Sequence, residues 1–409
     1  LNKNRIGLSL RSSPYVLLRV VNSIFQDNYD WGVYSKNCAN MSSVFMSCHF
    51  LSSPVLLETV QTHPIVWQEF HAFICNCTFR SDILVTHSGC LQLLTIKTVS
   101  MATNITIRKS IFSKSSGLCG VLSITEATNN YRKATFITLD KLMVENNWND
   151  EVAVYIKPFF KVPSKFKVKI INSVFQNNTA RTVHAAMKTW HSSVPQREHI
   201  LFSNNTFSKN GYFVHPSATS YSPVLYLDSG RHWLNKCTFV NNYPHGTPNS
   251  AVLILSNSAK IIIKDCLFLK TNTTKSQQIY AESNSRIIFK GTTIFKITAT
   301  LSDQVIMIHE PSTNKKRLGL VQIRGTVHMI CPSGNRVDFM KNNIHDQVLT
   351  WIYFYASCVP CPQKTYSIEK GGLKNNITNE IRCYDCPRGA VCESGQKKKK
   401  KRVLGSQKE

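Results

Sequence analysis

Long apolar runs are missing from these 409 residues: 18 consecutive apolar side chains occur nowhere, so nothing reads as a membrane-spanning helix. The strongest stretch, Val348 to Ala356 (VLTWIYFYA), is too short to span and reads as a strand or a cap. Helical periodicity is missing too. No segment carries a sustained 3.6-residue apolar stripe with caps, which argues against crossover helices. Acidic residues are scarce, 23 against 49 basic, and they do not cluster; the one adjacent pair is Asp150–Glu151. The thirteen histidines include no H-E-x-x-H and no His/Cys pair at ligand spacing, so no metal, cofactor or catalytic residue is expected. No nucleic-acid reading module or basic-aromatic groove pattern appears, and nucleic acid is not an expected partner.

What is present is repetition. Ten times a β-rich run ends in a small residue, any residue, a bulky apolar residue and a polar turn. The bulky positions are Phe25, Phe50, Phe79, Phe112, Val144, Phe175, Phe207, Phe239, Phe268 and Phe295, at gaps of 25, 29, 33, 32, 31, 32, 32, 29 and 27 residues. A period of this size marks a solenoid. Val, Ile, Leu, Thr and Phe fill the strands and Asn, Ser and Gly fill the breaks, as in PVLYLDSGRHWLNKCTFVNNYP from Pro223. Two or three short strands per period without helices suggest parallel strands stacked rung upon rung.

Two columns support this reading. Two places before the bulky residue stand Ser23, Cys48, Cys77, Ser110, Leu142, Ser173, Asn205, Cys237, Cys266 and Thr293. Residues i and i−2 of a strand share a face, so this column points inward with the Phe stack. Three places after it stand Asn28, Ser53, Asp82, Ser115, Asn147, Asn178, Asn210, Asn242, Thr271 and Thr298. Asn and Asp suit a left-handed turn, and stacked copies suggest an amide ladder along the coil. The adjacent-coil cysteines Cys48/Cys77 and Cys237/Cys266 are read as free apolar fillers. In this pattern the chain resembles the right-handed parallel β-helix proteins of the pectin-lyase-like class, over roughly residues 15 to 330. The expected fold is therefore all-β: a right-handed parallel β-helix of about ten to eleven coils over 1–330, with a rod length on the order of 50 Å. An irregular insertion is expected at about 181–199, with Trp190 and Met187 as a protruding binding feature.

The net charge of +26 should attract polyanions such as acidic glycans or anionic cell surfaces. The run Lys397–Arg402 reads as part of a basic disordered tail, 396–409. Seven N-x-[ST] sequons occur; Asn177, Asn272 and Asn376 are the glycosylation candidates if the chain is secreted.

Residues 331–395 differ in composition. Six of fourteen cysteines fall here: Cys331, Cys358, Cys361, Cys383, Cys386 and Cys392. Two C-x-x-C-P units separated by 21 residues permit zinc, but Pro after each second cysteine and an even six favour disulfides. The segment is similar to the ephrin-receptor-like cysteine-rich modules, matched at Cys358, Cys361, Pro362, Thr365, Tyr366, Cys383, Cys386, Pro387, Gly389 and Cys392, with Lys364 where that family has Gly. The resemblance implies an oxidising, extracellular setting. A β-helix followed by such a module resembles ectodomains of uncharacterised surface proteins, in which membrane spans follow downstream. The connectivity and the oligomeric state stay open.

Hydrolytic β-helix proteins need converging carboxylates and lyases need Ca²⁺-binding acids beside a base. Asp150–Glu151 reads as a solvated turn, and no N-T-D, D-D or G-H-G triplet occurs. The expectation is a non-catalytic extracellular or cell-surface domain, structural, adhesive or ligand-binding, with an acidic glycan or another surface protein as partner. The alternative is a carbohydrate-active lyase or hydrolase on the same scaffold.

Overall fold

The computed structural model describes the strands and most tight turns between residues 6 and 399; residues 1–5, 60–67, 82–92, 127–133, 190–199, 212–222, 244–250, 271–276, 298–303, 309–319 and 400–409 lie outside it, with some shorter stretches. The described chain is all-β and winds as a parallel solenoid with three ladders. The first ladder starts with Ile6–Arg11 and Trp31–Cys38 and the second with Tyr15–Val21 and Asn40–Met46. The third is the Phe ladder. It runs from Ile24–Gln26 through Thr206–Ser208 to Thr326–Ile330, eleven strands, each paired in parallel with the next.

Strict alternation builds these ladders. Ala102–Arg108 buries every second side chain, among them Ile105 and Ile107, and leaves the rest partly or fully exposed. Because the strands of the Phe ladder keep their register from one to the next, identical positions stack. The rings of Phe25, Phe50, Phe79 and Phe112 lie parallel at centroid distances of 5.0, 4.9 and 4.8 Å. Those of Phe175, Phe207, Phe239, Phe268 and Phe295 follow at 4.8, 4.8, 4.6 and 4.7 Å. These distances match the separation of hydrogen-bonded strands, about 4.8 Å. Val144 stands in the same register between Phe112 and Phe175, and Leu142, where other rungs place a small residue, is buried beside it.

The inward column before the Phe does more than leave room. Most of the small side chains bond back to the carbonyl two residues earlier: Ser110 Oγ donates to the Arg108 carbonyl at 2.8 Å and Ser173 Oγ to that of Ile171 at 2.8 Å, whereas Asn205 Nδ2 reaches the Ile170 carbonyl of the neighbouring rung at 2.7 Å. The thiols of Cys48, Cys77 and Cys266 do the same at 3.3 Å. Ser, Cys and Asn recur there because the corner needs a short donor.

The turn column differs from its expected role in one respect. Left-handed backbone lies not at the position three after the Phe but at the exposed position before it, as at Asn146 (φ 54°) and Asn177 (φ 51°), and again three before the Phe, as at Asn172 (φ 51°) and Asn204 (φ 54°). The residue that follows the left-handed one swings inward and is buried. There the amides form a continuous ladder. Nδ2 of Asn147, Asn178 and Asn210 donates to Oδ1 of the next rung at 2.9, 3.0 and 3.1 Å. Each also donates to the carbonyl one rung below, those of Phe112, Val144 and Phe175. A buried amide with this many partners bears little desolvation penalty.

The C-terminal end changes direction. Strands Asn335–Asp346 and Leu349–Pro360 form an antiparallel hairpin, and the second of them pairs antiparallel with Gln304–Ile308 and Leu320–Ile323. Gly371–Lys374 closes the Phe ladder likewise. Edges that would template further strands are thereby covered. Of the apolar stretch, Leu349 to Ala356 contribute to this cap. Arg181–Ala186, at the start of the expected insertion, is a regular strand of the first ladder, while residues 190–199 lie outside the described part. Gln396–Lys399, inside the expected tail, pairs with Ala390–Glu393. No helix among the described residues is long and apolar enough to cross a membrane.

Candidate functional site

Of the cysteines singled out above, Cys331 bonds Cys358 and Cys361 bonds Cys383, with Cα separations of 5.7 and 5.8 Å. Cys386 is disulfide-bonded as well. All four cysteines of the two C-x-x-C units are thus disulfide sulfurs rather than zinc thiolates. The side chain of Cys392 lies outside the described residues. Cys48, Cys77, Cys237 and Cys266 are free and buried. Asn177 is exposed at its left-handed turn, its Nδ2 donating to Asn146 Oδ1 at 2.7 Å. Asn272, Asn376, Asp150 and Glu151, with Met187 and Trp190, lie outside the described residues.

The most distinctive chemistry lies on the outer face of the second ladder. Towards the N-terminus that face is mixed. Tyr15, Leu17, Asn40, Ser42, Glu69 and His71 line a shallow cleft of about 420 Å³, with His71 Nε2 3.2 Å from Glu69 Oε2. On the next two rungs, Arg108 Nε pairs with Asp140 Oδ2 at 3.2 Å.

Further along, the acids disappear. Five consecutive strands, Lys165–Ile171, Ile200–Ser203, Arg231–Asn235, Lys260–Lys264 and Arg286–Lys290, turn Lys167, Lys169, Arg231, Lys260, Lys264, Arg286 and Lys290 outward. Among the described residues their outward positions carry no Asp or Glu. Register sorts these side chains into rows. Arg231, Lys260 and Arg286 face one another on successive strands, and so do Lys264 and Lys290. Between the two cation rows runs an apolar row, Leu201, Trp233, Ile262 and Ile288. Trp233 is its most exposed member at 41%.

Like charges directly opposite one another on neighbouring strands are unfavourable. Lys260 records this: partial burial, then the guanidinium of Arg286, then that of Arg231 hold its ammonium below the ordinary lysine range. The cost is one the fold maintains across three rungs. The face was not drawn from the sequence, although KFKVK, RHWLN, KIIIK and RIIFK carry its signal. A cation opens each segment and alternates with apolar residues; register alone shows that the cations stack.

No protein-family model matches the chain, nor does any curated protein or solved structure.

Proposed function

We propose that this chain is a non-catalytic extracellular or cell-surface segment, a rigid solenoid whose basic sheet face binds a polyanion. The observation that carries the reading is the in-register row Arg231–Lys260–Arg286 on a face whose described outward positions carry no acid. A sheet that holds cations together against their repulsion is a preorganised anion receptor, because the cost of assembling the charges is met in folding and not in binding. Disulfides at the C-terminal end support an oxidising setting. We read the winding as right-handed and pectin-lyase-like, and the disulfide-bonded end as an ephrin-receptor-like module that sets the solenoid off from a cell surface.

The full chain, secreted from a eukaryotic host, should be retained on a sulfated-polymer column and released by salt; passage straight through at low salt would remove the reading. A carbohydrate-active enzyme on the same scaffold has its footing in the Glu69–His71 cleft. That alternative requires cleavage of an acidic polysaccharide that is abolished by Glu69→Gln.

A further inference from the structure

We infer that the basic face holds a linear acidic glycan laid along the solenoid axis, across the strands, with sugar rings on the Trp233–Ile262–Ile288 row and anionic groups against the flanking cations. The inference rests on the polyanion reading and narrows it. Three features of the face select the ligand. Its cations repeat with the strands, every ~4.8 Å along the axis, so a ligand whose charges are strung along one chain engages successive rungs. A small anion would reach only one or two. The cations also lie on both sides of the central row: Lys260 and Lys264 flank Ile262, and Arg286 and Lys290 flank Ile288, while Trp233 has Arg231 on one side and the neutral Asn235 on the other. Two residues along a strand is roughly 7 Å, so each flanking row stands about that far from the central row, and the two rows, about 13 Å apart, leave room for one sugar ring between them. Finally, the central row is apolar and shallow, with a single exposed indole.

A pyranose ring fits this combination, since its C–H face packs on an indole or an aliphatic surface while carboxylate or sulfate groups project from its rim. Nucleic acid fits less well. Single strands take successive aromatic platforms for their bases, and here Trp233 is followed by Ile262 and Ile288. A lipid surface also fits less well, because only Trp233 of the apolar row is well exposed and the Ile262 and Ile288 side chains after it are partly buried.

The test is binding of the full-length chain to a sulfated oligosaccharide series of increasing length, to a polyuronate, to single-stranded RNA and to anionic vesicles, each over a range of salt. Long acidic glycans should bind well and a disaccharide hardly at all. The triple variant Arg231→Gln, Lys260→Gln, Arg286→Gln should weaken glycan binding about tenfold or more and lower the salt slope by about three, one per cation removed. Trp233→Ala should weaken binding and leave the salt slope unchanged. A control that removes equal charge at the turn corners, Lys109→Gln, Lys114→Gln, Lys141→Gln, should have little effect. Because the triple variant relieves repulsion at Lys260, its melting temperature should equal or exceed that of the parent, which separates lost binding from lost folding. Binding of no polyanion overturns both this inference and the function proposed above. Tighter binding of RNA or vesicles through the same residues overturns the glycan and leaves the polyanion reading standing. Equal effects of the triple variant and the control overturn the site.

Discussion

Asn178 accepts hydrogen bonds from the backbone N–H and Nδ2 of Asn147, and it donates to the Val144 carbonyl and to Asn210 Oδ1. Asn178→Ala would strand polar groups on three rungs, at about 1–3 kcal/mol for each buried group left unpaired. We expect a loss of roughly 3 kcal/mol or more in denaturant unfolding; a loss under about 1 kcal/mol would mean that water replaces the ladder. Asn178→Asp should be at least as damaging, since a carboxylate cannot donate to Val144 or Asn210. Cys77 makes a second residue-scale prediction. Burial, before any other cause, pushes its thiol up from 9.0 to about 12. A group whose pKa is raised on folding contributes stability that is full below the unfolded value and lost as pH rises through the folded one. The native state should therefore weaken between about pH 9 and pH 12. Ser is the native choice at this position in the rungs of Ser110 and Ser173, so Cys77→Ser should fold and show a shallower alkaline decline. Equal slopes in the two proteins would refute the assignment.

At the scale of the element, one rung departs from the rest and compensates within itself. Most rungs pair a small inward residue with Phe; the rung at Met143–Glu145 pairs Leu142 with Val144, both buried. Volume moves from one inward position to the other, as close packing demands. Val144→Phe alone should overfill the rung and cost about 1–3 kcal/mol. Val144→Phe with Leu142→Ser restores the usual pair, places a ring between Phe112 and Phe175, and should recover most of that loss in thermal melts. If the double variant melts no higher than the single one, the two positions do not share a volume. This compensation is legible from the two columns of sequence. The asparagine ladder was legible only in part: its column was visible, but which residue takes the left-handed backbone and which turns inward is a one-residue distinction that composition does not make.

The whole molecule is a stack in which each rung leans chiefly on its neighbours, so stability is propagated along the axis. Its C-terminal end is held by the antiparallel cap and by the Cys331–Cys358 bond, which closes a 27-residue separation. A loop of that length is worth about 3.5 kcal/mol in the chain-entropy account. Cys331→Ser with Cys358→Ser should first loosen the cap and the last rungs. Hydrogen exchange should show lost protection in Thr326–Ile330 and Gln304–Ile308 while Ala102–Arg108 stays protected. Uniform loss along the whole solenoid would show a more cooperative unit than this picture allows. The basic face belongs to this scale too, because it spans five strands and no single rung contains it.

The repeat of Phe, small residues and asparagine by itself determined the parallel stack, because each rung carries a local copy of the same instructions and an interior position must be filled the same way each time. The even cluster of cysteines likewise announced a disulfide-bonded end. Tertiary structure decided the pairing of those cysteines, the cap that blunts the open edge, and the rows of charge on the second ladder. The cysteine pairs and the charge rows join residues 22 to 32 positions apart in the chain, and the cap joins Gln304 to Ser357; irregular turn lengths blur such spacing in the sequence. Only hydrogen-bonded register, which sets strand against strand to the residue, makes three distant cations one site.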